Sequence, residues 1–208
     1  MRYYIIMADI IHSSHIPGRE LMDKFKQDVA AVNEKFSANI KSPLSITLGD
    51  EFQGVVDDLS AAMEIIFYLD QRLLKVEPGY CMRYVVNYGC IDTPISKQNA
   101  YGMLGEGLTH ARSLLEELKE TDREILMEGL AEPKQTMLNM ALKLYRSFYN
   151  DWRKDDRAVA AYFLEVGDYK KVAAAFHRDP STMWRREKSL KMDEFKTSRN
   201  LITALINA

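Results

Sequence analysis

Along this chain the spacing of apolar residues switches between the periods of strands and helices, and the switches mark the elements. Tyr3 to Ile11 is an apolar run with the pattern of a buried strand, ending in Asp9. His12 to Gly18 is a loop, with Pro17 suited to the first turn of a helix. From Glu20 to Phe36, Leu21, Phe25, Val29, Val32 and Phe36 recur at helical spacing. The stretch Ser45-Ile46-Thr47-Leu48-Gly49-Asp50-Glu51-Phe52-Gln53-Gly54-Val55-Val56 then puts β-prone residues on both sides of a Gly-Asp pair. That is the signature of a tight hairpin, with strands near Leu44–Leu48 and Phe52–Val56. A second amphipathic helix runs from Ser60 to Leu74 and stops at Pro78-Gly79, and Tyr80 to Ile91 is a long strand.

This β-α-β-β-α-β order predicts an α+β, ferredoxin-like sheet. A loop with Pro94, Gly102, Gly105 and Gly107 leads to a third helix, Leu108 to Lys119. Arg123 to Glu128 fits either a closing strand or a helical turn, and the strand is the preferred reading. After Pro133 the pattern is wholly helical. Lys134 to Trp152 carries Met137, Ala141, Leu144, Tyr145 and Phe148 on one side, and Ala158 to Val166 ends at Gly167. Met192 to Ile206 is a last amphipathic helix, with Phe195, Leu201, Ile202, Leu205 and Ile206. The expected division is an α/β domain over residues 1–130 and a helical region over 131–208.

Within that region, Asp168 to Leu190 has the grammar of a helix-turn-helix. Val172, Ala173 and Phe176 would face inward, His177 to Pro180 would form the turn, and Asp179 or Ser181 would cap the next helix. That helix would pack through Met183, with Trp184 or Leu190 helping, and present Ser181, Thr182, Arg185, Arg186 and Lys188. Such a helix reads base edges with its first residues while basic side chains neutralise phosphates. A solvated helical hairpin packed on the body or on a protein partner is the plainer alternative.

Charge adds to this picture. Asp168 to Asn200 holds nine Lys and Arg against five Asp and Glu, an excess of +4 that leaves −6 for the rest of a chain with net charge −2. A basic C-terminal module on an acidic body suits a nucleic-acid-binding appendage. No stretch reaches the roughly 20 apolar residues of a membrane helix, and the N-terminal run meets an acid too early for a signal peptide. Cys81 and Cys90 make no disulfide framework or metal-ligand spacing, so a cytoplasmic protein without membrane insertion is expected.

The chemistry gathers where strand one ends and the hairpin turns. In a ferredoxin-like sheet the first and third strands are adjacent and antiparallel, so Asp9 would lie beside Asp50 and Glu51, open to solvent or ligand at the sheet's rim. Neighbouring carboxylates repel unless a cation neutralises them, and hard oxygen ligands suit Mg²⁺ or Mn²⁺. Such an ion would hold the phosphates of a nucleoside triphosphate, with Ser13, Ser14 and Gly49 as the nucleotide contacts. The bland alternative makes Asp50 a turn residue, Asp9 a strand end and Arg112 an i,i+4 partner of Glu116.

Met7-Ala8-Asp9-Ile10, Leu48-Gly49-Asp50-Glu51-Phe52 and the Gly-rich segment before Ala111-Arg112 resemble class III nucleotidyl cyclases over about the first 120 residues. Gly-Asp-Glu-Phe is also similar to the hairpin of diguanylate cyclases. In overall layout nearly all of the chain resembles the bacterial SatD family. The resemblance implies that Asp9 and Asp50 are the metal-binding aspartates and Arg112 the transition-state arginine. The cyclases' purine-selecting lysine falls on Ile46, their transition-state asparagine on Leu108, and the first glycine of the diguanylate-cyclase signature on Leu48. These departures favour a binding site over a reaction. The expectation is a regulator that couples metal-nucleotide binding to DNA binding, as a homodimer. Its rivals are a divergent cyclase or phosphoryl-transfer enzyme and a protein-interaction module with an inactive site.

Overall fold

A computed structural model describes residues 1–13, 18–75 and 79–208. The expected roles of Ser14, Pro17 and Pro78 lie outside these residues. Five strands form one sheet in the order β2-β3-β1-β4-β5, with β1 at Arg2–Ile11, β2 at Ile40–Ile46, β3 at Glu51–Val56, β4 at Cys81–Cys90 and β5 at Ile125–Glu128. β1 lies between β3 and β4 and is antiparallel to both, while β5 runs parallel to β4. The segment left open between strand and helical turn is thus a strand. The hairpin is longer than expected on its first arm. β2 starts at Ile40 and carries irregularities around Ser42 and Pro43, which an outer strand tolerates because one edge has no ladder to maintain.

Alternation along β1 divides the molecule into two layers. Ile6, Ala8 and Ile10 face α1 (Gly18–Lys35) and α2 (Leu59–Leu73) within one large core. Ile5 and Met7 face α3 (Glu106–Lys119), together with Val55, Val85 and the Ile91–Met103 segment. α1 buries Leu21, Phe25, Val29 and Val32, the stripe its spacing dictates. α2 starts one residue before Ser60 because Asp58 caps it, accepting from the Ala61 N–H at 2.8 Å.

Five helices complete the chain: α4 (Lys134–Asp151), α5 (Lys154–Val166), α6 (Tyr169–Ala175), α7 (Pro180–Ser189) and α8 (Met192–Asn207). Their buried residues belong to the same core as the α1–α2 face of the sheet. α4 corrects the expected stripe. Leu138, Ala141, Leu142, Tyr145 and Tyr149 face inward, whereas Met137 and Leu144 are exposed together with Met140. The helix carries two apolar stripes, and β5 and α8 cover only one of them. Asn139 seals the far side of β5. Its amide accepts from the Met127 N–H at 2.9 Å and donates to the Met127 carbonyl at 2.8 Å.

A buried polar knot fastens α4 to the α/β layer. The Asp70 carboxylate on α2 accepts from Tyr84 Oη at 3.0 Å, Tyr145 Oη at 2.8 Å and Arg146 Nη1 at 3.1 Å. Tyr149 Oη donates to the Asp70 carbonyl at 3.2 Å, and Arg146 also bonds the Met82 carbonyl on β4. A carboxylate can be buried so completely only when guanidinium and hydroxyl donors replace its water. Removing the cation alone strands that charge. Arg146→Met should therefore cost about 3–5 kcal/mol in urea unfolding, and Arg146→Met with Asp70→Asn should cost less than Arg146→Met alone. A loss in the double variant equal to the sum of the losses in Arg146→Met and Asp70→Asn alone would show that the pair is not coupled.

Candidate functional site

Register builds the site. Directly opposite Asp9 on β1 stand Glu51 on β3 and Arg83 on β4, so three charged side chains form one row across the central strands. By alternation that row shares the face of Ile5 and Met7, which α3 covers. Arg112, Glu116 and Lys119 recur along α3 at spacings of four and three, so one stripe of the helix hangs over the row.

The bonds follow from this placement. Arg83 Nη1 donates to Asp9 Oδ2 at 2.8 Å, and Arg112 Nη1 donates to Glu51 Oε2 at 3.0 Å. Lys119 Nζ lies 2.9 Å from Glu116 Oε1, 3.4 Å from Glu51 Oε1 and 3.9 Å from Asp9 Oδ2. Arg112 thus bonds across to Glu51, and Glu116 is taken by Lys119. Glu51 is not open to solvent as expected: its side chain is 7% exposed and that of Asp9 5%. Asp9 Oδ1 is buried without a hydrogen-bond partner.

Asp50 separates from this pair. Its N–H donates to the Leu48 carbonyl within the turn, and its carbonyl accepts from the Ile10 N–H of β1, both at 3.1 Å. Its carboxylate accepts from Ser13 Oγ at 2.6 Å. Gly49 reaches φ +87°, a left-handed conformation that a side chain would strain, so its place in the turn is conformational. Ser13 meets the site through its hydroxyl.

Sequence reasoning passed over Arg83 and Lys119. Arg83 had a signal, since it is a lone charge inside an apolar strand. Lys119 had none, being one lysine among the polar residues of a helix end.

Among the described residues no group of three or more His, Cys, Asp and Glu side chains is gathered to hold a metal ion. The donor chemistry at Asp9 nevertheless fits one, because its unbonded Oδ1 is a hard anionic oxygen with no other use. Glu51 has both carboxylate oxygens engaged by Arg112 and Lys119. Leu108 is buried in the α3 core.

The SatD family model matches residues 3–206. The chain belongs to the SatD family. No curated protein sequence matches it. Among solved structures, this SatD-family chain is similar at 12% identity and a TM-score of 0.47 to a bacterial light-regulated adenylyl cyclase, over 61% of its own length and 74% of the other. The catalytic core of a rhodopsin-guanylyl cyclase with converted specificity, in complex with ATPαS, matches at 16% identity and a TM-score of 0.43, over 56% and 73% of the two chains. A regulator of polyketide synthase expression from Bifidobacterium adolescentis matches at 12% identity and a TM-score of 0.30, over 100% and 81%.

In the SatD-family chain's C-terminal region, Val172, Ala173, Met183 and Leu190 are buried, and Asp179 caps α7 by accepting from the Ser181 N–H. Of the residues assigned to DNA, Ser181, Thr182, Arg185 and Lys188 are exposed. Ser181 Oγ also bonds Asp179 at 2.6 Å. Arg186 is already engaged, since its guanidinium pairs with Asp156 of α5. Of the two alternatives for packing beside Met183, Leu190 is buried and Trp184 is half exposed. Among the described residues no helix is long and apolar enough to cross a membrane.

Burial raises the Asp9 carboxyl above its ordinary pKa, against the opposing pull of Arg83 and Lys119. Burial works to lower Lys119, but its bond to Glu116 and the charges of Asp9 and Glu51 outweigh that and hold its ammonium above the usual value. For Asp9 the folded state binds its proton more tightly than the unfolded chain does. Ionised Asp9 therefore subtracts stability, and the loss grows as pH rises from the unperturbed value of ~3.9 through the raised one. In metal-free urea titrations, wild type should lose stability relative to Asp9→Asn across that window. A difference that stays flat with pH would show an ordinary carboxyl.

Proposed function

We propose that this SatD-family chain is a bacterial regulator that binds a nucleoside triphosphate with Mg²⁺ or Mn²⁺ at the Asp9 site and DNA through α6 and α7. The observation that carries the reading is the unbonded, buried Oδ1 of Asp9 within a row of paired charges. In this reading β1 to β4 with α1 and α2 are the ferredoxin-like frame of a cyclase-like domain, and α6–α7 is a helix-turn-helix. A homodimer suits both halves, since paired modules read paired half-sites.

Asp9, Asp50 and Glu51 would hold the ion. When bound, the ion supplies charge neutralisation to the phosphates. The chain's own groups do the rest. Arg112 is one-third exposed and has its guanidinium at the rim, placed to exchange Glu51 for a phosphate oxygen. Ser13 holds Asp50 in position. The turn at Gly49 puts Asp50 immediately before Glu51, the β3 residue that pairs with Asp9. With Leu108 packed in the core, the site lacks the polar group that cyclases present there, which supports binding over turnover.

Titration of ATP or GTP with Mn²⁺ should give saturable binding that Asp9→Asn weakens by about tenfold or more, equal to ~1.4 kcal/mol. Metal-dependent product that disappears in Asp50→Asn would instead make the chain an enzyme. No binding of either nucleotide would remove the site.

On α7, Arg185 and Lys188 are the exposed cations, whereas Arg186 is held by Asp156. Duplex DNA should therefore bind with strong salt dependence, and Arg185→Ala with Lys188→Ala should flatten the slope of log affinity against log salt by about 2. A double variant with unchanged affinity and slope would rule out α7 as the contact.

A further inference from the structure

Lys119 occupies a position that the metal-nucleotide reading leaves unexplained. Its ammonium lies between the two acids of the row, 3.4 Å from Glu51 Oε1 and 3.9 Å from Asp9 Oδ2, on the side from which α3 covers them. Arg83 and Arg112 are each committed to one carboxylate, whereas Lys119 is shared by both. It therefore does what a bridging cation would do. A divalent ion beside it would meet the same oxygens and a repelling positive charge at close range.

We propose that the Lys119 ammonium is a resident stand-in for a divalent cation between Asp9 and Glu51, and that a metal ion enters the site by displacing it. The inference rests on Asp9 being a metal ligand. Three features make Lys119, and not Arg83, the displaceable group. Arg83 is the more buried, at 14% against 31% exposure, and bonds Asp9 at 2.8 Å. The two contacts of Lys119 to the row are the longer ones. And its shortest bond, 2.9 Å, runs to Glu116, which is 57% exposed and lies outside the row. On a flexible stem at the last turn of α3, Lys119 can leave Asp9 and Glu51 while keeping Glu116, so displacement does not strand its charge. Its departure also frees Glu51 Oε1, so that an incoming ion meets anionic oxygen from both the Asp9 and the Glu51 carboxylates. Lys119 thus sets how strongly the site takes a cation and which cations it takes, because only an ion of higher charge density competes with an ammonium already in place.

The test measures Mn²⁺ binding to the full chain without nucleotide, by calorimetry and by the loss of the free-ion paramagnetic resonance signal. Lys119→Gln should bind Mn²⁺ on the order of tenfold more tightly than wild type. Lys119→Arg, which keeps the charge, should stay as weak as wild type or weaker. Asp9→Asn on the Lys119→Gln background should abolish the gain. Unfolding curves of each variant check that the fold is kept, and Lys119→Arg guards against a purely structural effect. Equal Mn²⁺ affinity in wild type and Lys119→Gln, with Asp9→Asn abolishing both, would overturn the stand-in role while leaving the metal site intact. No Mn²⁺ binding to any variant would overturn the stand-in role and the metal reading together.

Discussion

The antiparallel pairing of β1 with strands on both sides decides where the charges of this molecule meet. Because Asp9 stands between Glu51 on one flank and Arg83 on the other, an apolar residue in its place would leave Arg83 without its carboxylate partner. A shift of one residue would turn Asp9 into the α1–α2 core and bring Ile10 or Ala8 against the α3 stripe. The apolar alternation above it, Ile5 and Met7 against Ile6, Ala8 and Ile10, excludes that shift. The core of the upper sheet therefore holds the polar row at its lower end in place, although the row adds little cohesion of its own.

On the other face, the Asp70 knot plays the corresponding part for the helices. Asp70 gathers Tyr84 from β4 and Tyr145 and Arg146 from α4 around one buried carboxylate, so the helical region is joined to the sheet by directed bonds as well as by apolar contact. Trp152 continues this seam by donating from Nε1 to the Leu190 carbonyl at the end of α7. From the sheet to α7 there is thus an unbroken series of buried contacts.

How much of this was legible in the sequence depended on whether one element or two set the outcome. The inward stripe of α1 and the meeting of Asp9 with the hairpin followed from period and strand order alone. The stripe of α4 did not, because Met137-Met140-Leu144 and Leu138-Ala141-Leu142-Tyr145 are equally apolar and only the neighbours choose between them. The partners of the acids were hidden for the same reason. Arg83 stood out within an apolar strand, but Lys119 and Arg186 are ordinary helix-surface cations until Glu51 and Asp156 arrive from elsewhere in the chain. Asp28 and Asp70 were masked by lying on helices, where a lone acid suggests solvent. Each is instead buried under tyrosine hydroxyls and an arginine, Asp28 under Tyr80 and Arg72.

The amide of Asn139 has a further consequence. A parallel strand at the rim of a sheet offers its free N–H and C=O groups to any extended chain that passes, which is how sheets from different molecules fuse. By bonding both groups of Met127, one side chain does locally what a sixth strand would do along its whole length, and β5 is only four residues long. At the opposite rim, Pro43 and the irregular register of β2 spoil the template in another way. The template for adding a strand is therefore interrupted at both rims, by one asparagine side chain beside β5 and by a proline within β2.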